Sequence, residues 1–548
     1  MGDPSHIQKL PNELLAKVFV FSNPEDSWEF SPIEKDALGR IMLVCRHWRQ
    51  VAVSTTDLWC TIDIAATLVY HWQSLDINPP DYLQCVEKAS RYLALILPRT
   101  ADALLEIRFH DERVATHILP NIIEAHGHRL RKVMVGVRSP QGVPQSPDVV
   151  RLLMGASLPH LEELHMQYNI STRDPVPIED RTHLAHPAFT LDRFPALRTL
   201  QHASLIVYES SIPLISKLTI LDLDSCSFHF DSSQPLNRFI DVLKGCQSLR
   251  DLCLRNVLNS HPLPQERSSS QVIKLEKLSS LTILDEPAYT SWFLSCISID
   301  ADVDLHVTGM LNQDFGHFAN SIAEHFASLY PTSMASRLQT ATHGYLYQPQ
   351  YSWPGRVRMT IGSPKTCLTI ECLGRQGYSR PSTINHTFSA FGRVYAGAAI
   401  TKLDILSVDF NVSYEARASE PWVHLFSQFP DVKELELGNS GWGPLFGIIS
   451  ALGLPPPIQV DGELSVDFRK RTPVCPKLES VGIGGTEWEI AGMVESLISV
   501  LRRRSAFGLP KWKLELMSGY PRWTGELKQV LALYHDDLFS NIDILEFQ

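Results

Sequence analysis

His183 and His186, Cys246 and Cys253, Cys367 and Cys372, and the glycines of VGIGGTEW are the places where this chain could do chemistry. None has the spacing a site needs. A structural zinc site brings four donors together, usually as two closely spaced pairs, and neither cysteine pair has a matching second pair. His126 and His128, like His183 and His186, read as surface histidines in loops. Gly482, Gly484 and Gly485 could form an anion nest of backbone N–H groups, but they directly follow a strand-like stretch and read as a tight turn. No G-x-S-x-G, P-loop, H-E-x-x-H or G-x-G-x-x-G motif occurs. The expectation is a non-enzymatic protein with no catalytic residues, no metal and no cofactor, which works by binding.

The totals point the same way. A chain of 548 residues exceeds what one core holds, so several domains or an elongated array are expected. A net charge of -11 argues against a nucleic-acid partner, which would call for a basic stripe. The run Arg502-Arg503-Arg504 ends an amphipathic stretch, where cations answer the negative end of a helix. MGDPSHIQKL lacks the cationic and apolar regions of a secretory signal, and no apolar run approaches the ~18 residues of a membrane span. With ten scattered cysteines, the expected location is the cytoplasm or nucleus, with no membrane partner.

The elements that would present a binding surface repeat. From about residue 100 an apolar residue, two variable ones, an apolar, a variable and an apolar recur: Leu161, Leu164, Met166; Leu218, Leu221, Leu223; Leu249, Leu252, Leu254; Val432, Leu435, Leu437. Weaker copies centre on Val133, Leu200, Val481 and Ile542. Pro159, Pro195, Pro430 and Pro476 each stand two residues before a first apolar position, as suits a turn entering a strand. The alternation that follows predicts short half-buried strands. Helical stretches intervene, among them PLNRFIDVLKGC, which should stop at Gly245 in left-handed backbone, FGHFANSIAEHFASLY, MVESLISVLRRR and ELKQVLALYHDD.

Strand and helix alternating every ~20–45 residues is a solenoid signature. The pattern is similar to the leucine-rich repeat, most closely at 161–169, which ends on Asn169, and at 218–226. The fold class is therefore α/β, a small all-helical N-terminal module followed by an irregular leucine-rich-repeat-like solenoid. A mixed α/β domain without a continuous array is the alternative. The expected division is 1–65 for the module, 66–100 for a linker and capping helix, and 101–548 for the solenoid. It is least regular over 331–399, where YQPQYSWPGR and GRQGYSRPS read as loops. The cap would be the stripe Tyr82, Val86, Ala89, Leu93 and Ile96.

If the strands line a concave face, the residues between the buried positions point into it. These are Glu163, Asp222, Asp224, Asp251, Asp404, Glu434, Glu436 and Asp543, against Lys132, Arg255 and Lys402. Such a face suits a basic protein target, the alternative being a plain solvated strand face.

The N-terminal module is apolar on too many sides for a simple cap. Leu14, Leu15, Val18 and Phe19 recur at helical spacing after Pro11, and the next stripe runs Leu38, Ile41, Cys45, Trp48 and Ala52. Leu43, Val44 and Val51 lie off that stripe, so the segment has a second face to bury. Leu10-Pro11, Glu13-Leu14-Leu15, Val18-Phe19, then Leu43-Val44-Cys45-Arg46, Trp48-Arg49 and Leu58-Trp59 resemble the F-box. The form is the F-box-like one common in large fungal families: L-P-x-E-L-L, V-C-x-x-W-R and L-W. A polar insert over 22–37 departs from it.

The resemblance implies the substrate receptor of an SCF-type ubiquitin ligase. The F-box docks on a Skp-family adaptor within the cullin complex, and the repeats hold a protein target. An F-box scaffold acting without ubiquitin transfer is the other reading. Carried over, Leu10, Pro11, Leu14, Leu15, Val18, Leu43 and Val44 would pack on the adaptor, while Trp48 and Trp59 stiffen the module.

Overall fold

A computed structural model describes residues 10–22, 37–64, 79–137, 147–168, 188–203, 205–264, 272–300, 302–310, 339–347, 357–362, 367–373, 395, 398–406, 419–438, 442–454, 458–460, 463–465, 473–484, 490–517 and 542–547. Nearly all of the insert 22–37, the helices expected at 315–330 and 526–537, Asn169, His183 and His186 lie outside the described residues. The chain divides into two compact units, Met1–Asp251 and Leu252–Gln548. Both mix helices with mostly parallel strands.

The first unit opens with α1 (Asn12–Phe21), α2 (Ala37–Val44) and α3 (Arg46–Ser54), followed by a 3-10 turn, Thr56–Trp59. Pro11, at φ -54, precedes α1 and its carbonyl accepts from Leu14 and Leu15. Cys45 breaks α2 from α3 with extended backbone and caps α3, its sulfur accepting from the Trp48 N–H at 3.4 Å. Leu15, Phe19, Val51, Ala52, Leu58 and Trp59 form the core of this helical region. Trp48 packs on Phe19 with ring centroids 5.1 Å apart.

The helices lead directly into β1 (Thr61–Asp63), then α4 (Pro79–Ile96), β2 (Leu105–Phe109), α5 (Glu112–His126), β3 (Leu130–Val137), α6 (Pro147–Gly155), β4 (Glu163–Tyr168) and β5 (Thr199–Ala203). After them come β6 (Ile206–Tyr208), α7 (Ile212–Ile215), β7 (Ile220–Asp224), β8 (Ser227–His229) and α8 (Pro235–Lys244). β1, β2, β3, β4, β5 and β7 pair in that order, all parallel, and β6 pairs with β8 separately. The register aligns Ile62, Ile107, Val133, Leu164, Leu200 and Leu221 in one buried row. Each such side chain contributes roughly 1.5–3 kcal/mol by leaving water. Gly245 does not end α8 in left-handed backbone: its φ is -78, and its N–H donates to the Val242 carbonyl at 2.9 Å.

In the second unit β9 (Asp251–Arg255) begins at the boundary. It is followed by β10 (Ile273–Lys274), β11 (Ser280–Asp285), α9 (Pro287–Cys296), β12 (Ile297–Ser298), β13 (Asp304–Met310), β14 (His343–Tyr347), β15 (Val357–Gly362), β16 (Cys367–Leu373) and β17 (Lys402–Leu406). Then come α10 (Glu420–Ser427), β18 (Glu434–Gly438), α11 (Trp442–Leu452), β19 (Ile458–Val460), β20 (Glu463–Ser465), β21 (Ser480–Gly484), α12 (Ile490–Ala506), β22 (Trp512–Met517) and β23 (Ile542–Phe547). The sheet runs β9, β11, β13, β16, β15, β14, β17, β18, β21, β22, β23. β10 with β12 and β19 with β20 form small pairs of their own. β15 runs against both its neighbours. The stretch expected to be least regular, 331–399, therefore contains three strands, inserted in reversed spatial order between β13 and β17, while the two segments read as loops, YQPQYSWPGR after Tyr347 and GRQGYSRPS, lie outside the described residues.

One turn recurs before the strands. Leu161, Leu197, Leu218, Leu249, Val432 and Leu478 each donate an N–H to the carbonyl three residues back, on Leu158, Phe194, Ile215, Cys246, Phe429 and Cys475. Pro159, Pro195, Pro430 and Pro476 occupy the second turn position, where a fixed φ near -65° is preorganised. The first turn residue is buried in every case, an apolar position the repeat pattern did not include.

Candidate functional site

No group of three or more His, Cys, Asp or Glu among the described residues could hold a metal ion. No helix among them is long and apolar enough to cross a membrane. Gly482 and Gly484 are not in a turn: they lie inside β21, paired with Glu436 and Gly438. His126 ends α5 and His128 sits in the 3-10 turn after it. The arrangement offers two surfaces, one on the N-terminal helices and one on the strands.

On the helices, Leu14 is 48% exposed, Val18 44%, Leu43 82% and Val44 59%, with Pro11 exposed and Leu10 half-buried. Leu15 is the correction. It is 0% exposed, so it serves the core and has no surface to give a partner. Phe21, 89% exposed, belongs with the exposed group and was missed in the sequence. The signal was there, since Leu14, Val18 and Phe21 share one helical stripe at i, i+4, i+7. So much exposed apolar surface, drawn from α1 and α2, marks an interaction site.

The module is tied to the strands that follow. Trp59 is buried, its indole N–H donates to the Ala52 carbonyl at 2.9 Å, and the Arg99 guanidinium lies 4.6 Å from its ring. Asp63 of β1 pairs with His110 at 2.9 Å.

The strand face opposite the buried rows carries the expected carboxylates, but charge partners share it. In the first unit Glu163 accepts from Lys132 at 2.7 Å and lies 3.0 Å from His165, whose Nδ1 is 2.7 Å from the Gln201 amide oxygen. Burial opposes ionisation of Glu163, yet the bonds from Lys132 and His165 win and hold its carboxyl below the usual range. Arg131 of β3 pairs with Glu106 of β2. Asp222 and Asp224 are half-buried in β7, with Asp224 accepting from the Ser225 hydroxyl at 3.0 Å, and Asp251 opens β9. The face is thus a ladder of ion pairs with carboxylates toward β7, and not a plain acidic surface.

In the second unit Asp404 is buried, bonded to His343 at 2.9 Å. Burial pushes its carboxyl up, against the pull of His343 and Lys402. Lys402 lies 3.4 Å from Glu436 and 3.9 Å from Asp404, while Glu434 is exposed. Burial lowers the Lys402 pKa and the carboxylates raise it, with the carboxylates prevailing. Asp543 does not join these residues. It falls at a register shift between β22 and β23, where Trp512 pairs with Ile542 and Lys513 with Ile544, so Asp543 has no partner position.

Arg504 departs from its expected role beside a helix end. It is buried, donating to the carbonyls of Val474 at 3.0 Å and Cys475 at 2.9 Å, with its guanidinium 5.1 Å from the Trp512 ring. Burial lowers its pKa to about 10.

No curated protein matches the chain at a significant level. Residues 7–65 match the family model described as F-box-like, so the module presenting Leu14, Val18, Phe21, Leu43 and Val44 is an F-box-like domain.

Proposed function

We propose that this chain is the substrate-recognition subunit of an SCF-type E3 ubiquitin ligase. The observation that carries the reading is the exposed apolar patch of α1 and α2 on a module that matches the F-box-like family. F-box domains typically dock on Skp-type adaptors, which link them to a cullin. On this reading the strands and helices after the module form an irregular leucine-rich-repeat-like solenoid, related to the large fungal F-box-like group. They hold a protein target near the charged conjugating enzyme. The chain itself does no chemistry; its mechanism is proximity, in the cytoplasm or nucleus.

Co-purification with a Skp-family adaptor tests the reading. Changing Leu10 and Pro11 to alanine, or Leu43 and Val44 to aspartate, should abolish it while the rest of the chain stays folded. Persistence of binding in both variants would overturn the docking assignment. Adaptor binding without cullin recruitment would favour an F-box scaffold that transfers no ubiquitin.

A further inference from the structure

We propose that the strand face formed by β14, β17, β18, β21 and β22 holds an extended, lysine- or arginine-bearing segment of the target, with one cationic side chain lying over Gly482 between Glu436 and Glu515. The proposal rests on the substrate-receptor reading and deepens it.

Register brings the groups together. Tyr345, Asp404, Glu436, Gly482 and Glu515 occupy one row across five neighbouring strands, and His343, Lys402, Glu434, Ser480 and Lys513 the row beside it. Strands lie about 4.8 Å apart, so Glu436 and Glu515 stand about 10 Å apart with only a glycine between them. Among the described residues this row has a slot over Gly482, bounded by the Glu436 carboxylate, which faces Lys402, and the Glu515 carboxylate, which faces Lys513, and wide enough for the stem of a lysine or arginine. On the next row Gly438 pairs with Gly484, and Leu406 fills the space over Gly438, so the open position is the one over Gly482.

Charge complementarity decides the occupant. In the first unit Glu163 is answered by Lys132, Glu106 by Arg131 and Asp63 by His110. Around β17 one lysine, Lys402, is shared between Asp404 and Glu436, and Glu434 keeps an exposed carboxylate beside it. Lys513 pairs with Glu515 at 2.8 Å. Six charged positions of these strands thus hold carboxylates in excess, Asp404, Glu434, Glu436 and Glu515 against Lys402 and Lys513, with His343 bonded to Asp404. Tyr345, 41% exposed with its ring stacked 4.1 Å from His343, adds an aromatic platform at the end of the row, which suits a cation as well. An acidic segment would meet the excess of carboxylates, and a purely apolar one would leave them unanswered.

The test uses the full chain bound to its adaptor and a dye-labelled Arg–Ser repeat peptide, followed by fluorescence anisotropy. The peptide should bind, more weakly as salt rises, and a Glu–Ser repeat should not. The double variant Glu434→Gln, Glu436→Gln should weaken binding about tenfold and Tyr345→Ala about threefold, both at surface positions. Glu124→Gln, on an exposed turn of α5, should change nothing. Equal binding of the two peptides, or wild-type affinity in the double variant, would overturn the proposal. Adaptor co-purification is read in the same samples, so a failure here is distinguishable from failure of the F-box reading.

Discussion

The Trp59 indole N–H donates to the Ala52 carbonyl at 2.9 Å, closing the end of α3 onto the 3-10 turn that leads into β1. Removing the ring by Trp59→Ala should destabilise this region by about 3–5 kcal/mol, because it empties a core position and takes one of two donors from the Ala52 carbonyl, leaving the Thr55 N–H at 3.3 Å. Trp59→Phe keeps most of the packing and should cost about 1 kcal/mol. Hydrogen exchange of residues 46–63, read separately from the second unit, distinguishes the two.

The docking patch divides by burial. Leu43→Asp with Val44→Asp should weaken adaptor binding by at least about thirtyfold with unchanged thermal unfolding. Leu15→Ala should do the reverse of this at first: a loss of about 2–5 kcal/mol in local stability, with adaptor binding falling only as the module unfolds. Calorimetry and a titration with purified adaptor, run on the same samples, separate the two effects.

Arg504 is the buried member of a basic run. Arg504→Ala takes the guanidinium donors from the carbonyls of Val474 and Cys475, the latter keeping only the Leu478 N–H, and should destabilise the second unit by about 2–4 kcal/mol. Arg502→Ala, at an exposed position, should stay within about 0.5 kcal/mol. Denaturant unfolding monitored by tryptophan fluorescence checks the contrast.

Asp285 is fully buried and accepts from the backbone N–H groups of Val257, Leu258, Asn259 and Glu286. Burial nonetheless raises its carboxyl to about 7 from 3.8. Between those values the folded chain binds a proton that the unfolded chain has released. This group's contribution therefore falls as pH rises from about 4 to 7, by at most roughly 4 kcal/mol, and is flat above. Asp285→Asn should lower stability, since an amide cannot accept from all four donors, and should remove this slope. Unfolding free energy measured against pH for both proteins tests the sign.

The turns before the strands separate position from composition once more. Phe429→Ala, at the buried first turn position, should cost about 3–5 kcal/mol. Pro430→Ala should cost only about 0.4–1 kcal/mol, because it acts by freeing the unfolded chain. Equal losses in chemical denaturation would contradict the turn assignment.

Local pattern made much of this legible. Leu161, Leu164 and Met166 announced a buried strand edge, and Pro159 its entry turn, because both depend on neighbours within a few residues. Glu163 shows where that stops. Its place on the open face followed from alternation, but its answer by Lys132 depends on which strand lies beside β4, and that is fixed only by register. The reversed strand β15 was hidden for the same reason, since VRMTIG reads as a strand of either direction. Asp543 was lost to a one-residue register shift, and Arg504 to a loop far away in sequence. Leu15 and Leu14 are neighbours of one type, and only the packing of α1 against α3 sorts them into core and surface.

Because β1 is built from the last residues of the F-box-like domain, loss-of-function alleles need care. A deletion of residues 1–62 would take Thr61 and Ile62 with it and leave the backbone of Glu106, now bonded to Cys60, facing solvent along a bare edge. Cells carrying such an allele would report self-association and clearance of a damaged protein as much as absent docking. Side-chain changes at Leu43 and Val44 remove docking and leave the β1 edge in place, and they are the alleles from which a genetic phenotype can be read.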